Sequence, residues 1–346
     1  MTSTTLPGAN PSEHSGAATA PDFGDARAEF QALLLGCGLY DLSWRAKITV
    51  TGGDRIRWLN GMVTNNVRDL PPGHGVYAFL LNAQGRIQAD LYAFQRGDSL
   101  LVDTERVQRE KVLQLFDHYI IADDVGIADI SDKLSALGLT GPESRHVLER
   151  AGIAVPDLAH LQFADVIWQH ACQQKTVTLL RAGGEVRESW QIWIAPEHTS
   201  ELRSALLKAG ARSIGTTALN LFRISRGIPQ FGADIRERDL PQETGQTRAL
   251  NFTKGCYLGQ EIVERIRSRG AVHRQFTAFG VEGTLPEPGA KIVAGEKEVG
   301  EITSGAILPL PGGDRPVALG YLRREAAGKD LRAGTVQLKP ASLPIA

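Results

Sequence analysis

The sequence predicts an α+β fold that ends in a small β-barrel, and three observations support this prediction. Strand patterns occur as hairpins separated by single helical patterns, which is typical of α+β layers rather than of a doubly wound parallel sheet. A similar order of strands and helices follows in the second part of the chain, so we expect two related α+β domains. After about Gln275, short apolar runs are separated by Gly and Pro every few residues, which indicates an antiparallel barrel.

The length of 346 residues allows two or three domains. We expect a disordered tail at 1–24, α+β domains at 25–135 and 136–274, and the barrel at 275–346.

Apolar periodicity and turn residues place the elements of the first domain. A helix predicted at 26–35 stops at Gly36 and Gly38, and a turn at Gln84-Gly85 joins two strands. The expected elements are helices at 26–35, 55–59 and 105–116, and strands at 48–50, 77–81, 87–94 and 100–102.

The second part of the chain repeats this kind of order, although no internal repeat is clear in the sequence itself. The expected elements are strands at 137–139 and 190–194, helices at 142–148 and 197–209, and barrel strands at 276–281 and 317–322.

Composition and charge narrow the function classes. The formal net charge of −1 provides no long-range field that would draw the whole molecule to nucleic acid or to an anionic membrane. No apolar run approaches the roughly 20 residues of a membrane helix. Residues 1–21 contain no Lys or Arg and no hydrophobic block, which fits neither a secretory signal nor a transit peptide. We therefore expect a cytoplasmic protein that binds neither nucleic acid nor membrane by itself.

Three cysteines, Cys37, Cys172 and Cys256, are too few and too scattered for a disulfide framework. None belongs to a CxxC pair, so we expect no metal site and a reducing compartment. Cys37 lies between Gly36 and Gly38, and Cys172 lies beside Gln173 with no nearby cation, so we expect both to be structural.

The segment most informative about chemistry is residues 254–261, Lys-Gly-Cys-Tyr-Leu-Gly-Gln-Glu. Gly255 and Gly259 flank Cys256 on both sides and can adopt backbone angles closed to other residues. If the segment leads into a helix, then Lys254 and the helix N-terminus favour the thiolate of Cys256. The alternative is a small hydrophobic residue in a tight turn, since free Cys is often buried.

This octapeptide closely resembles the signature of the YgfZ-type folate-binding proteins, which are relatives of the glycine-cleavage aminomethyltransferase. Shorter motifs of that superfamily occur in order along the chain, although each is weak alone. They are residues 59–67 (Leu-Asn-Gly-Met-Val-Thr-Asn-Asn-Val), 138–142, 223–229 and 241–243, followed by Arg265 and Arg269-Gly270 after the octapeptide. The resemblance implies three domains arranged as a ring around a central cavity for tetrahydrofolate or a one-carbon folate.

The resemblance also implies roles for individual residues. Cys256 is the functional thiol, with Lys254 beside it, and the motif is supported by Gly255, Gly259, Gln260, Glu261 and Arg265. The folate contacts it implies are Asp90, Gln191, Arg223 and Tyr257. Each has a structural alternative: a solvated strand edge for Asp90, an ion pair with Asp234 for Arg223, and core packing for Tyr257. Gln260 and Glu261 are expected to fix the cysteine loop rather than to touch ligand.

One departure from the aminomethyltransferases concerns folate. They usually have a Glu where this chain has Gln191, so a bidentate carboxylate contact to the pteridine ring is lost. Their Tyr-Thr-Gly turn is also missing, since this chain has Ala182-Gly183-Gly184 there.

Three functions are compatible with these features. The first is a folate-binding factor that assists assembly or repair of iron–sulfur clusters in client enzymes through Cys256, together with client or assembly proteins. The second is a folate-dependent aminomethyl or one-carbon transferase, and the third is a folate-independent scaffold. The sequence leaves enzymatic activity open and favours a non-enzymatic role.

Overall fold

A computed structural model describes residues 12–170, 173–182, 188–270 and 272–345. The chain forms two compact units. The first consists of Met1–Gly61, Asn66–Ala78 and Leu91–Leu219, and the second of Met62–Asn65, Phe79–Asp90 and Asn220–Ala346. None of the helices among the described residues has the length and apolar character needed to cross a membrane.

The α-helices of the described residues are α1 (Ala26–Leu35), α2 (Arg55–Met62), α3 (Arg109–His118), α4 (Ser144–Arg150), α5 (Thr199–Lys208), α6 (Thr216–Ser225) and α7 (Gln260–Arg269). The boundaries of α1 have a clear local cause. The Asp25 carboxylate accepts a hydrogen bond from the Ala28 amide at the first turn, and the helix ends at Gly36.

The first unit contains two large sheets. The strands of this part of the chain are β1 (Ser12–His14), β2 (Ala17–Thr19), β3 (Gly38–Asp41), β4 (Arg45–Thr51), β5 (Gly75–Leu81), β6 (Ile87–Gln95), β7 (Leu100–Glu105), β8 (Gly126–Asp129), β9 (Ser135–Thr140), β10 (Phe163–His170), β11 (Gln173–Arg181), β12 (Ser189–Ile194) and β13 (Arg212–Ser213). One sheet has the order β5-β6-β7-β4-β8, and the other has the order β10-β11-β12-β9-β3-β13. The end of β5, the turn that follows it and the start of β6, residues 79–90, belong to the second unit.

The six-stranded sheet carries the larger core of the first unit, which includes Leu139, Trp168, Trp190 and Leu206. A second cluster of buried residues contains Trp44, Phe94, Phe163 and Trp193. Burying aromatic side chains of this size supplies much of the hydrophobic stabilisation of such a unit.

The second unit is built around a closed barrel with the strand order β14-β17-β16-β15-β18-β19. Its strands are β14 (Arg274–Glu282), β15 (Lys291–Ala294), β16 (Lys297–Leu310), β17 (Gly313–Arg323), β18 (Leu331–Ala333) and β19 (Val336–Pro340). The barrel encloses a core that includes Phe279, Ile302 and Ala318.

The predicted α+β class and the C-terminal barrel are confirmed. Two details differ. Strand β3, which lies in the first predicted domain, pairs with β9 of the second, so sheet membership does not follow the boundary expected at 135–136. Pairing across about 100 residues is set by tertiary packing, which local periodicity does not report.

The second difference lies in the tail expected to be disordered at 1–24. Residues 1–11 lie outside the described residues, but β1 and β2 pair as a short antiparallel hairpin. The His14 ring packs edge-on against Trp44 with 5.0 Å between ring centroids, and the Ser15 hydroxyl donates a hydrogen bond to Glu105. These contacts order a segment whose composition alone is typical of disorder.

Candidate functional site

The loop that carries Cys256 begins with a turn set by Asn251. The side-chain oxygen of Asn251 accepts hydrogen bonds from the backbone amides of Thr253 and Lys254, each with a donor–acceptor distance of 2.9 Å. The chain then runs past Cys256, whose side chain is exposed, and enters α7 at Gln260. The segment thus leads into a helix, which is the condition on which the thiolate interpretation of Cys256 depends.

The side chain of Lys254, within this loop, is buried. Its ammonium donates hydrogen bonds to the carbonyl oxygen of Val63 at a distance of 2.5 Å and to that of Asn65 at 2.8 Å. The same nitrogen lies 4.9 Å from the centroid of the Tyr257 ring, a cation–π distance. These contacts attach the loop to residues 63–65, which sequence proximity to Cys256 did not predict.

The start of α7 fixes the other end of the loop. The Gln260 side chain accepts a hydrogen bond from the Tyr257 amide at a distance of 3.2 Å, which joins the loop to the first residue of the helix. Gly259 has φ of +80°, in the left-handed region, and a Cβ there would lie 2.5 Å from the Asn82 carbonyl oxygen. Only glycine fits such a position without displacement.

Three further motif residues lie on the outside of the second unit. Gly255, Glu261 and Arg265 are exposed. Gly255 is not among the glycines with positive φ in the described chain.

Tyr257 is buried, with 8% of its surface exposed. Burial raises the pKa of its phenol to about 12, and the negative charge of Glu264 adds to the shift. Among the described residues its hydroxyl has no hydrogen-bond partner. Most of the Tyr257 side chain is buried, and Lys254 lies over one face of its ring.

Arg223 takes the structural alternative considered for it. Its Nη1 donates to Asp234 over 2.7 Å, and Asp234 is fully buried. Nε donates to Asn220 and Nη2 donates to Ser304. Each nitrogen of the guanidinium therefore has a partner within the second unit.

The two remaining folate candidates lie in different units. Asp90 is half-buried at the end of the β6 segment in the second unit. Gln191 is half-buried on β12 of the first unit, and its side-chain oxygen accepts a hydrogen bond from the Trp193 indole over 3.2 Å. The side-chain oxygen of Gln191 is thus used within the protein.

The other cysteines contrast with Cys256. Cys37 is buried, and burial raises the pKa of its thiol to about 11. The Ser144 hydroxyl donates to its sulfur over 3.5 Å. These features fit the structural role expected of Cys37, while Cys172 lies outside the described residues.

The residues that the sequence interpretation missed are those that hold the loop from a distance. Asn251 had a usable signal, since Asn commonly accepts bonds from amides two residues later. The Thr64 hydroxyl donates to the Ala249 carbonyl at a distance of 2.6 Å. Because the two residues are 185 positions apart in the sequence, there was no local signal for this contact.

Comparison with known families divides the chain in two. The GCVT N-terminal domain matches residues 8–254, and the CAF17 C-terminal beta-barrel domain matches residues 269–344.

Curated relatives match over most of their length. An aminomethyltransferase of Rubrobacter xylanophilus is 28% identical over 304 residues, which cover 87% of this chain and 80% of the relative. An aminomethyltransferase of Streptomyces coelicolor is also 28% identical, over 93% of this chain and 90% of the relative. Glycine cleavage system aminomethyltransferase T from Bartonella henselae has a crystal structure that superposes with a TM-score of 0.87. That alignment covers 98% of this chain and 94% of the other at 21% identity, so it establishes similarity of fold.

Proposed function

The chain belongs to the GCVT family of aminomethyltransferase-like proteins, and from that premise we propose a YgfZ-type function for it. It binds tetrahydrofolate or a one-carbon folate in the cytoplasm. It assists the assembly or repair of iron–sulfur clusters in client enzymes, and this role depends on Cys256.

The exposed sulfur of Cys256 on a fixed loop is the observation that carries this proposal. Asn251 sets the turn before it, Lys254 attaches the loop from below, and Gln260 holds the Tyr257 amide after it. A thiol presented in this way can meet another protein without a costly ordering of the loop. A buried structural cysteine such as Cys37 has no such access.

The fit to a folate is supported by some of the candidate residues and not by others. Asp90 carries a half-buried carboxylate and Gln191 carries a side-chain amide, and each is a group of the kind that hydrogen-bonds to a pteridine. The contacts of Arg223 and Tyr257 lie within the protein. When bound, the folate would supply a carrier for a one-carbon unit.

A cluster belongs to the client rather than to this chain. Iron–sulfur clusters are usually held by four cysteine thiolates, and Cys256 supplies one. Its part is therefore to contact a cluster, or a sulfur of the client, whose remaining ligands come from the other molecule.

A matched pair of cysteine variants tests the proposal. In a host that lacks its own copy of this protein, wild-type chain and Cys37→Ala should restore the activity of an iron–sulfur enzyme, whereas Cys256→Ser should not. Calorimetry should show that purified Cys256→Ser still binds tetrahydrofolate. Full restoration by Cys256→Ser would sink the proposal, and absence of tetrahydrofolate binding to the wild-type chain would favour the folate-independent scaffold.

The aminomethyltransferase relatives favour one alternative, a folate-dependent one-carbon transferase. Transfer of an aminomethyl carbon to a folate nitrogen needs no thiol nucleophile, so this function does not account for Cys256. Purified protein that forms methylene-tetrahydrofolate from an aminomethyl donor at equal rates with and without Cys256→Ser would establish it instead.

A further inference from the structure

Residues Val63, Thr64 and Asn65, here called the clasp, form a short segment of the second unit that contacts the chain leading to Cys256. All three of their consecutive carbonyl oxygens accept hydrogen bonds from that chain. The Asn251 amide donates to Thr64 over 3.0 Å, and the Lys254 ammonium donates to the carbonyls on either side. Three adjacent acceptors directed at one loop fix its position more strongly than any single contact.

Thr64 is the centre of the clasp and is fully buried. Its hydroxyl donates to the Ala249 carbonyl over 2.6 Å and accepts from the Phe79 amide over 2.9 Å. Its own amide donates to the Phe79 carbonyl over 3.1 Å. The residue therefore connects strand β5 to the segment that precedes the cysteine loop, and its hydroxyl uses both its donor and its acceptor capacity.

The clasp also reaches the chain at Arg248, since the Asn65 side-chain amide donates to the Arg248 carbonyl over 2.8 Å. Bonds therefore occur at residues 248, 249, 251 and 254, all within eight residues before Cys256. Buried polar groups that lose a partner carry the full cost of desolvation, so these bonds stabilise one loop conformation strongly.

We propose that the clasp is the positioning device of the cysteine loop, with Thr64 and Lys254 as its positioning residues. The use to which the positioned thiol is put rests on the proposed function, but the positioning does not. The motif at residues 59–67 contains none of the candidate site residues. The proposal gives it a role, because its centre holds the loop that presents the sulfur.

Thr64→Val and Thr64→Ser form the matched test. Valine keeps the shape but removes both hydroxyl bonds, whereas serine keeps the hydroxyl. In hydrogen–deuterium exchange of the full chain, Thr64→Val should accelerate the amide of Phe79, which loses its hydroxyl acceptor, by about tenfold. Alkylation of Cys256 by iodoacetamide should change by at least about threefold, while Thr64→Ser should stay within about twofold of wild type on both measurements.

Two outcomes overturn the inference: exchange in Thr64→Val within about twofold of wild type, or a Thr64→Ser variant as perturbed as Thr64→Val. If Thr64→Val unfolds, as shown by a reactive Cys37, Lys254→Met decides: alkylation of Cys256 should change by at least about threefold, whereas Lys254→Arg should stay within about twofold of wild type. Neither measurement involves folate or a client enzyme, so this inference and the proposed function can fail separately.

Discussion

Arg223 Nη1 donates to Asp234 Oδ2 over 2.7 Å, and the carboxylate of Asp234 is completely buried. The same carboxylate accepts from the Gln230 amide and from the Thr303 hydroxyl. Arg223 thus neutralises a charge that the second unit keeps out of water.

Arg223→Ala should therefore destabilise the protein. Removing one member of a buried pair leaves an uncompensated charge and typically costs about 3–5 kcal/mol. Urea unfolding measures the loss, with Arg223→Lys as the control that retains a positive charge and should lose less. An Arg223→Ala variant as stable as wild type but unable to bind tetrahydrofolate would return Arg223 to the folate site.

Gly259→Ala should destabilise the protein more than Gly270→Ala does. Both glycines have positive φ, +80° and +85°, at the two ends of α7. A Cβ on Gly259 would lie 2.5 Å from the Asn82 carbonyl oxygen, whereas a Cβ on Gly270 meets nothing within 4 Å. Gly270→Ala should cost about 1–2 kcal/mol from backbone strain alone, and the excess in Gly259→Ala reports the steric clash. Equal losses in thermal unfolding would contradict the close approach.

Cys256 should react with a thiol reagent in the native protein, and Cys37 should not. Cys256 is exposed, while Cys37 is buried with its pKa raised to about 11. At pH 8 we expect alkylation of Cys256 to be at least about 100-fold faster, since the thiolate is the reactive form. Peptide mass spectrometry distinguishes the sites, and denatured protein, in which both should react, is the control. Comparable native rates would show that Cys37 is accessible.

Stability should fall as the pH rises from about 9 to about 11, in part because of Cys37. Burial raises the pKa of this thiol from 9.0 to about 11. Between these values the unfolded chain loses a proton that the folded protein keeps, so deprotonation favours unfolding. The contribution is present below pH 9 and is lost by pH 11, up to about 3 kcal/mol.

Cys37→Ala isolates this contribution from the other groups that titrate at high pH. The cost of the cavity left by Cys37→Ala does not depend on pH. The unfolding free energy of wild type should therefore fall relative to that of Cys37→Ala as the pH rises across this range. A constant difference from pH 8 to pH 11 would rule out the effect.

Gln191→Glu should strengthen tetrahydrofolate binding if Gln191 contacts the ligand as proposed. A carboxylate retains the bond from the Trp193 indole and adds a charge-assisted acceptor, worth about 1 kcal/mol more than a neutral one. That corresponds to about a fivefold lower Kd by calorimetry. Gln191→Leu, which has no polar group, should weaken binding, and equal affinity in all three proteins would place the ligand elsewhere.

Local signals predicted several elements of the fold, but α6, β10 and β11 have no counterpart among the expected elements. The helix expected at 26–35 is α1, because an Asp cap and a terminal Gly bracket a single apolar stripe. The helix expected from 105 starts at Arg109, after a 3-10 turn at Arg106–Gln108. Helix starts of this kind have mixed geometry that apolar periodicity does not resolve.

The site was predicted less completely, because its main contacts join distant parts of the chain. Lys254 and Cys256 are neighbours in sequence, which suggested an electrostatic role for the lysine. The ammonium instead bonds to carbonyls 191 and 189 residues away. A single sequence gives the charge of a side chain but not the direction in which that side chain points in the fold.

The turn at Gln84-Gly85 looks like an ordinary place to insert a peptide tag, because Ala83 and Gln84 face solvent. Gly85 is different: a Cβ there would lie 2.7 Å from the Cβ of Ile262 on α7. Extra residues at this hairpin would push against the helix that follows the thiol. Affinity handles and fluorescent fusions are better joined to another surface turn, such as the one at Gly312, where a Cβ meets nothing within 4 Å.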